Sequence, residues 1–164
     1  MQQTAEQRPG HGSDKSEGKG SSPQQFSTFY VANRLYGIDV TRVQEVVRPM
    51  PMTPIPLAPV YVRGLINLRG QVATAIGLRQ LFGLSGGEPD EFMNVVCRVE
   101  GTLISLQVDE IGDVIEVAPS DNEVTPKTVV ADIRRFMSGI YKISDSLLST
   151  IDVDRINKFL NHKL

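Results

Sequence analysis

The sequence predicts a mainly β protein made of two small β-barrels in tandem. Short runs of alternating apolar and polar residues recur along the chain, and tight turns separate them, as expected of antiparallel strands. The second half of the chain also repeats the pattern of the first half. A repeating unit of about 70 residues is too long for a solenoid repeat and long enough to form a small barrel.

The repeat is visible at two offsets. An offset of 68 (104 − 36) places residues 36–47 on residues 104–115. An offset of 75 (136 − 61) places residues 61–68 on residues 136–143. Because both blocks occur in the same order and share their apolar pattern, a tandem duplication explains them. Two like subdomains meet at a seam, which is a usual place for a binding site.

Period-two alternation identifies the strands. Tyr36, Ile38 and Val40, for example, alternate with small or polar residues, the pattern of a strand with one buried face. Each half holds five such runs, and five short strands suit a closed barrel, which leaves no exposed sheet edge. The predicted strands span residues 26–32, 35–40, 43–48, 62–68, 71–76, 94–100, 103–109, 112–117, 137–143 and 146–151.

Turns, helices and connectors complete the predicted barrels. Each half ends in a short helix, over residues 78–82 and 152–160, where apolar residues recur at helical spacing. Residues 49–59 hold five prolines and therefore predict a stiff, extended connector. Residues 85–90 form a polar loop, which we expect to be the hinge between the halves. Hairpin turns are predicted at residues 33–34, 69–70, 100–101 and 144–145.

The N-terminal segment, residues 1–24, differs in composition from the rest of the chain. It contains no valine, isoleucine, leucine, phenylalanine or tyrosine, so it cannot bury enough surface to offset the entropy lost on ordering. We expect residues 1–24 to form a disordered tail. A folded domain over residues 25–162 should follow, with subdomains at about residues 25–86 and 87–160.

Composition argues against several functional classes. The formal charge is −2, from 17 basic and 19 acidic residues, which does not suggest a nucleic-acid surface or a membrane-binding patch. A single cysteine allows no internal disulfide and suits a reducing cytosol. No apolar run is long enough to span a membrane, and no signal segment is recognisable. These observations predict a soluble cytoplasmic protein.

Residues that carry enzyme chemistry are not found in recognisable arrangements. His11 and His162 have no catalytic or ligand partner at a characteristic spacing. Cys97 alternates with valines on an apolar strand face, which favours a buried, unreactive thiol. Asp152 and Asp154 lie at a helix start, where capping explains them. We therefore predict no catalytic residue, no metal site and no cofactor, and a binding function by elimination.

Two charged residues interrupt the apolar pattern of the first half. Glu45 lies among valines on the third strand, and Arg69 lies at the turn before Gly70. The two side chains could pair with each other, but an exposed pair contributes at most about 1 kcal/mol to stability. The alternative is that one or both contact a protein partner, because arginine is common at interface hot spots.

These residues resemble the bacterial chemotaxis coupling protein family, CheW. The resemblance covers about residues 25–160. It rests on Tyr-Gly-Ile-Asp-Val at residues 36–40 and on residues 78–84. Above all, it rests on the motif Gly-Leu-Ile-Asn-Leu-Arg-Gly at residues 64–70, which follows a proline-rich segment. It implies two SH3-like five-stranded barrels with a hydrophobic groove between them. It also implies a cytoplasmic, non-catalytic adaptor, recruited to membrane receptor arrays, that joins the cytoplasmic tip of chemoreceptors to the regulatory domain of the histidine kinase CheA.

The resemblance also implies a set of partner-binding residues. By motif, the positions for receptor or kinase contact are Val43, Glu45, Asn67 and Arg69, with Val114 in the second half. The chain departs from the family pattern at Gly77, where an aspartate is usual; its own second half keeps Asp152 at the equivalent place. The missing carboxylate removes a possible cap from the following helix.

Two other functions remain open at this point. One is a coupling protein of another chemosensory-type pathway, such as one that controls pili, which the sequence does not separate from chemotaxis. The other is a small-barrel nucleic-acid-binding module, which would need a basic stripe with exposed aromatic residues. A sequence pI of about 5.7 and the absence of tryptophan argue against that module.

Overall fold

Strands dominate the computed structural model, which describes residues 22–126, 129 and 131–163. These residues form eleven strands, three α-helices and two single-turn 3-10 helices, at Val40–Arg42 and Pro119–Asp121. The strands are β1 (Gln24–Val31), β2 (Arg34–Asp39), β3 (Val43–Val47), β4 (Val62–Leu68), β5 (Gln71–Gly77), β6 (Met93–Val99), β7 (Thr102–Val108), β8 (Glu110–Val117), β9 (Asn122–Glu123), β10 (Met137–Ile143) and β11 (Ser146–Ile151). The helices are α1 (Leu78–Leu81), α2 (Ala131–Arg134) and α3 (Val153–Lys163).

The mainly β fold class is confirmed. Each of the ten predicted strands is present, with its ends close to the prediction, and both predicted helices are present as α1 and α3. The first hairpin turn lies at residues 32–33, slightly earlier than predicted. Most of the predicted tail, residues 1–21, lies outside the described residues. Its last residue, Gln24, belongs to β1 and pairs with Val117.

The hairpins turn through left-handed backbone. The φ angles are 51° and 65° at Ala32 and Asn33, 52° and 90° at Arg69 and Gly70, and 51° at Glu100. Two-residue turns with positive φ match the right-handed twist of the strands they join, so these turns fix the register of each hairpin. The side chain of Arg69 therefore stands at the tip of the β4–β5 hairpin.

The two sheets interleave the halves of the chain. One sheet has the strand order β8-β1-β2-β11-β10-β9, and the other has the order β3-β6-β7-β5-β4. Each half thus contributes its first two strands to the sheet that holds the last strands of the other half. The expected boundary near residue 86 does not coincide with a division between the sheets, because β6 and β7 complete the sheet of β3, β4 and β5.

The sheets are related by an internal two-fold repeat. Val43 pairs with Cys97 in one sheet, and Ile111 pairs with Phe29 in the other. The two pairs are related by the same offset of 68 that relates the sequences (111 − 43 and 97 − 29). Each sheet also contains one parallel pair, β5 with β7 and β2 with β11. The register therefore repeats along with the sequence, as expected of a duplicated unit.

Three apolar clusters form the core. The largest draws residues from both sheets and all three helices and so fills the seam between them. A smaller cluster lies within each sheet. One consists of Ile66, Leu68, Ala73, Ala75, Val96 and Leu103, and the other of Phe26, Val117, Tyr141 and Leu148.

A buried ion pair joins the halves at the seam. Arg79 of α1 donates from Nε and Nη2 to the two carboxylate oxygens of Asp109, at 3.1 Å and 2.7 Å. Asp109 also accepts a hydrogen bond from the backbone N–H of Ala32, at 2.8 Å. The hydrogen bond to Asp109 raises the pKa of the Arg79 guanidinium, against the lowering effect of burial. One carboxylate thereby connects α1, the β1–β2 turn and the link between β7 and β8.

Because the sheets share strands, we expect neither half to fold alone. A fragment of residues 22–86 contains the β1–β2 pair without β8 and β11, the strands that flank it in the full chain, and β3–β5 without β6 and β7. Its circular dichroism should show no cooperative thermal transition. Mixing it with a fragment of residues 87–164 should restore one transition, because the two fragments together supply every strand. A cooperative melt of the first fragment by itself would contradict the expectation.

Candidate functional site

The predicted site lies where β3 meets the tip of the β4–β5 hairpin. β3 and β4 are the two outer strands of their sheet, and an ion pair between Arg69 Nη2 and Glu45 Oε2 joins β3 to the turn that follows β4. The Arg69 side chain is 72 % exposed, whereas that of Glu45 is 24 % exposed. Glu45 is thus the less exposed partner of the pair, and most of the Arg69 side chain faces solvent.

Asn67 supports the hairpin that presents Arg69. Its Oδ1 accepts a hydrogen bond from the backbone N–H of Gly70, at 2.9 Å. A side-chain oxygen that binds a turn amide stabilises the turn locally. Asn67 is itself exposed, so it can also contact a partner.

A second polar network adjoins the ion pair, and the sequence analysis did not find it. Arg98 of β6 donates from Nε to Gln44 at 3.0 Å and from Nη2 to Gln71 at 2.9 Å. Its signal in the sequence is one arginine on the outward face of a strand that is mostly apolar. We call the six residues Gln44, Glu45, Asn67, Arg69, Gln71 and Arg98 the Arg69 surface.

The structure places the other two predicted site residues elsewhere. Val43 is half-buried and packs against the central core, because it begins β3 with its side chain on the inward face. Val114 lies on β8 in the other sheet and is 59 % exposed. Its equivalent in the first half is Val46 (114 − 46 = 68), which is 39 % exposed. Of the five predicted residues, the structure therefore brings together Glu45, Asn67 and Arg69.

The seam opens at the surface as a small cleft of about 210 Å³. Tyr61 and Leu81 line one side, and Phe136 and Phe159 line the other. The rings of Tyr61 and Phe159 lie 5.5 Å apart, and the Arg135 guanidinium lies 5.5 Å from the centre of the Phe159 ring. The lining also includes Gln80, Asp132 and Arg135, so aromatic and polar groups share this cleft.

The described residues show little that suits catalysis. Cys97 is fully buried, and burial raises the pKa of its thiol to about 12. The thiol is therefore protonated at neutral pH, whereas the thiolate is the nucleophilic form. Residues 22–126, 129 and 131–163 hold no cluster of histidine, cysteine, aspartate and glutamate able to bind a metal ion. Over the same residues, no helix combines the length and apolar character needed to cross a membrane.

Gly77 and Asp152 differ as expected at the two equivalent helix starts. Gly77 precedes α1 and makes no side-chain cap, although its φ of −84° and ψ of 112° suit any residue. Asp152 precedes α3 (152 − 77 = 75), and its Oδ1 accepts from the N–H groups of Asp154 and Arg155, at 2.9 Å and 3.4 Å. An added Cβ at Gly77 would meet the flexible end of the Gln80 side chain at 2.0 Å, so that side chain must rotate.

We expect Gly77→Asp to stabilise the protein by about 0.3 kcal/mol and Asp152→Ala to destabilise it by about 1 kcal/mol, since a capping aspartate is replaced at lower cost by glycine than by alanine. Chemical denaturation of the variants and the parent protein measures both effects. Gly77→Ala is the control, because it adds the Cβ atom without the capping oxygen. Equal stabilisation by Gly77→Ala and Gly77→Asp would show that capping is not the cause.

Comparison with known families identifies the fold. The family model of the CheW-like domain matches residues 25–159. The chain belongs to the CheW-like domain family. The Chemotaxis protein CheW of Treponema pallidum is 31 % identical over 137 residues, which cover 80 % of this chain and 81 % of that protein. The Chemotaxis protein CheW of Bacillus subtilis is 31 % identical over 134 residues, which cover 81 % of this chain and 86 % of that protein.

A solved CheW structure shares the architecture. The scaffolding protein TtCheW from Thermoanaerobacter tengcongensis superposes with a TM-score of 0.73 at 30 % sequence identity, covering 80 % of this chain and 86 % of TtCheW. The family membership and the two-subdomain CheW-type β fold expected from the sequence are thereby confirmed. This CheW-like chain accordingly belongs among chemotaxis coupling and scaffold proteins.

Proposed function

We propose that this CheW-like chain is a non-catalytic adaptor that joins the cytoplasmic tip of transmembrane chemoreceptors to the regulatory domain of the histidine kinase CheA. The observation that carries the proposal is the family match over residues 25–159, which spans both sheets. The name of TtCheW, a scaffolding protein, supports the same role. The chain would act in the cytoplasm and be recruited to membrane receptor arrays by its partners.

The Arg69 surface supplies a candidate contact for one of these partners. It combines an exposed guanidinium with two side chains, Glu45 and Asn67, that hold its position. Arginine binds partner carboxylates through two parallel hydrogen bonds, and an arginine that is already positioned loses less freedom on binding. An exposed ion pair by itself contributes too little to stability to account for this arrangement.

The internal repeat supplies a second candidate contact on the other sheet. Val114 of β8 is exposed at the position that corresponds to Val46 of β3. The surroundings differ, because Asp113 and Ser144 stand where Glu45 and Arg69 stand in the first half (offsets 113 − 45 = 68 and 144 − 69 = 75). Two related but chemically distinct surfaces on one rigid core suit an adaptor that must hold two different partners.

Co-sedimentation with receptor-containing membranes tests the proposal. The chain should pellet with these membranes, and purified CheA should pellet only when the chain is present. Membranes from cells that lack chemoreceptors serve as the control and should retain neither protein. The proposal fails if CheA pellets equally without the chain, or if the chain pellets equally with the control membranes.

A further inference from the structure

A small cavity opens beside the ends of β3, β6 and β7. It has a volume of about 190 Å³, and its lining includes Met50, Met52, Asp90, Glu91, Phe92 and Gln107. We call it the Gln107 cavity. Pockets for drug-sized ligands measure about 300–1,000 Å³, so the size of this cavity restricts a ligand to a short chain of atoms.

Gln107 brings a buried acceptor to this cavity, and the chain leaves that acceptor unpaired. The residue is 6 % exposed, and its Nε2 donates to the sulfur of Met52 at 3.3 Å. This contact fixes the orientation of the amide, because only its NH₂ end can donate to a sulfur. Among the residues that the structure describes, none donates a hydrogen bond to Gln107 Oε1. A buried carbonyl oxygen without a donor is costly, so it marks a place where a donor from outside the chain would bind.

The internal repeat shows which donor is missing. Gln107 corresponds to Asp39 (107 − 39 = 68), and Phe92 corresponds to Gln24 (92 − 24 = 68). In the other sheet, the amide of Gln24 donates to the carboxylate of Asp39 at 2.9 Å. A phenylalanine ring cannot make this bond. The position that supplies the donor in one half is therefore an apolar wall in the other half, and the acceptor beside it stays free.

The other groups of the cavity favour a cation with an apolar stem. Asp90 and Glu91 are its exposed members, and neither forms an ion pair with any residue that the structure describes. None of the described lining residues is basic. The side chains of Met50, Met52 and Phe92 add polarisable, apolar walls that suit methylene groups. An ammonium on a short alkyl chain meets all of these requirements, because it combines N–H donors, a positive charge and an apolar stem.

We propose that the Gln107 cavity binds a small primary alkylammonium ion. The ammonium donates to Gln107 Oε1 and is attracted by Asp90 and Glu91, while its methylene groups lie against Met52 and Phe92. Hydrogen bonds from a charged donor are stronger than neutral ones, which favours the ammonium over an alcohol. A metal ion suits the cavity less, because thioethers are poor ligands for the hard cations that carboxylates bind. The cavity shares no residue with the Arg69 surface, and the proposal does not depend on the adaptor function.

Nuclear magnetic resonance titration of the isotope-labelled full chain with n-butylammonium chloride, at constant ionic strength, tests the proposal. The backbone amide signals of Phe92, Asn94 and Gln107 should shift and saturate together. n-Butanol and sodium butyrate are the control ligands, because they keep the alkyl stem and replace the ammonium by a neutral or a negative group. Each should bind at least about tenfold more weakly. Absence of saturable shifts at the three residues, or equal affinity for n-butanol, would overturn the proposal.

Two sources carry this ammonium, a free amine and a lysine side chain of another protein. Nα-acetyl-lysine N-methylamide presents the same ammonium and stem on a short piece of backbone. An affinity about equal to that of n-butylammonium would assign the cavity to a lysine side chain. Binding about tenfold weaker or more would assign it to a free amine, because the attached backbone then prevents the stem from entering.

Two variants test the assigned contacts in the same titration. Gln107→Leu keeps the side chain's approximate size and removes the acceptor, so n-butylammonium should bind at least about tenfold more weakly. The double variant Asp90→Asn with Glu91→Gln removes two charges at exposed positions, where the fold is retained, and should weaken binding about fivefold. Glu88→Gln is the matched control, since it removes the same charge from the same loop outside the cavity lining, and it should bind like the parent. A variant of the cavity that binds like the parent, or an equal loss with Glu88→Gln, would overturn the proposal.

Discussion

Asp109→Ala is expected to destabilise the folded chain by about 3–5 kcal/mol, the largest effect of any single substitution considered. The change leaves the Arg79 guanidinium, whose side chain is only 8 % exposed, without its carboxylate partner. It also removes the acceptor for the backbone N–H of Ala32. A buried charge without a partner is costly because it has lost its water and received no compensating contact. Chemical denaturation of the variant and the parent protein measures the difference.

The repeat provides a matched control for this substitution. Asp154 of α3 stands at the position that corresponds to Arg79 (154 − 79 = 75) and pairs with Arg42, but these two side chains are 47 % and 34 % exposed. Asp154→Ala should therefore cost no more than about 1 kcal/mol, as is typical of exposed pairs. Equal losses for Asp109→Ala and Asp154→Ala would show that burial does not determine the cost. A double variant with Arg79→Met should recover part of the loss caused by Asp109→Ala, because the unpaired charge is then gone.

Arg69→Ala is expected to leave the fold intact and to weaken partner binding by about thirtyfold, equivalent to about 2 kcal/mol. The side chain is 72 % exposed, so its ion pair with Glu45 contributes little to folding. At an interface, by contrast, its loss removes a positioned guanidinium. Glu45→Ala should act in the same direction, because Arg69 then loses the group that holds it.

Melting temperature and co-sedimentation with receptor membranes, with and without CheA, should be measured on the same preparations. Arg155→Ala is a suitable control, since Arg155 is another half-exposed arginine with an acidic neighbour, Asp152. It lies outside the Arg69 surface and should bind like the parent protein. A large loss of stability in Arg69→Ala, with normal binding per folded molecule, would contradict the interface assignment.

The sequence revealed the strands because alternation is a local signal. The elements it missed are short: β9 has two residues and α2 has four, too few for a period to show. The sequence did not show which strands pair with which, for a different reason. Equivalent strands of a duplicated chain carry similar patterns, so β1–β2 and β6–β7 both fit either sheet, and only tertiary packing decides between them.

The candidate site was predictable in part. Glu45 and Arg69 stood out as charges among apolar residues, and the structure joins them. Val43 was named with them, and the structure places it half-buried against the central core; its part in binding stays a prediction. Arg98 was passed over because one polar residue on the outer face of a strand is common and carries no signal until its partners, Gln44 and Gln71, are seen beside it.

The exchange of strands between the halves has a mechanical consequence. The chain passes from one sheet to the other between β2 and β3 and again between β7 and β8, where Asp109 is the one intervening residue. A pull applied to the two sheets in opposite directions would travel through these covalent crossings and the buried core, and not through the loop at residues 85–90, which connects parts of one sheet. Two partners held on opposite sheets would therefore keep a constant separation and orientation, so that the protein behaves as a stiff spacer rather than a tether.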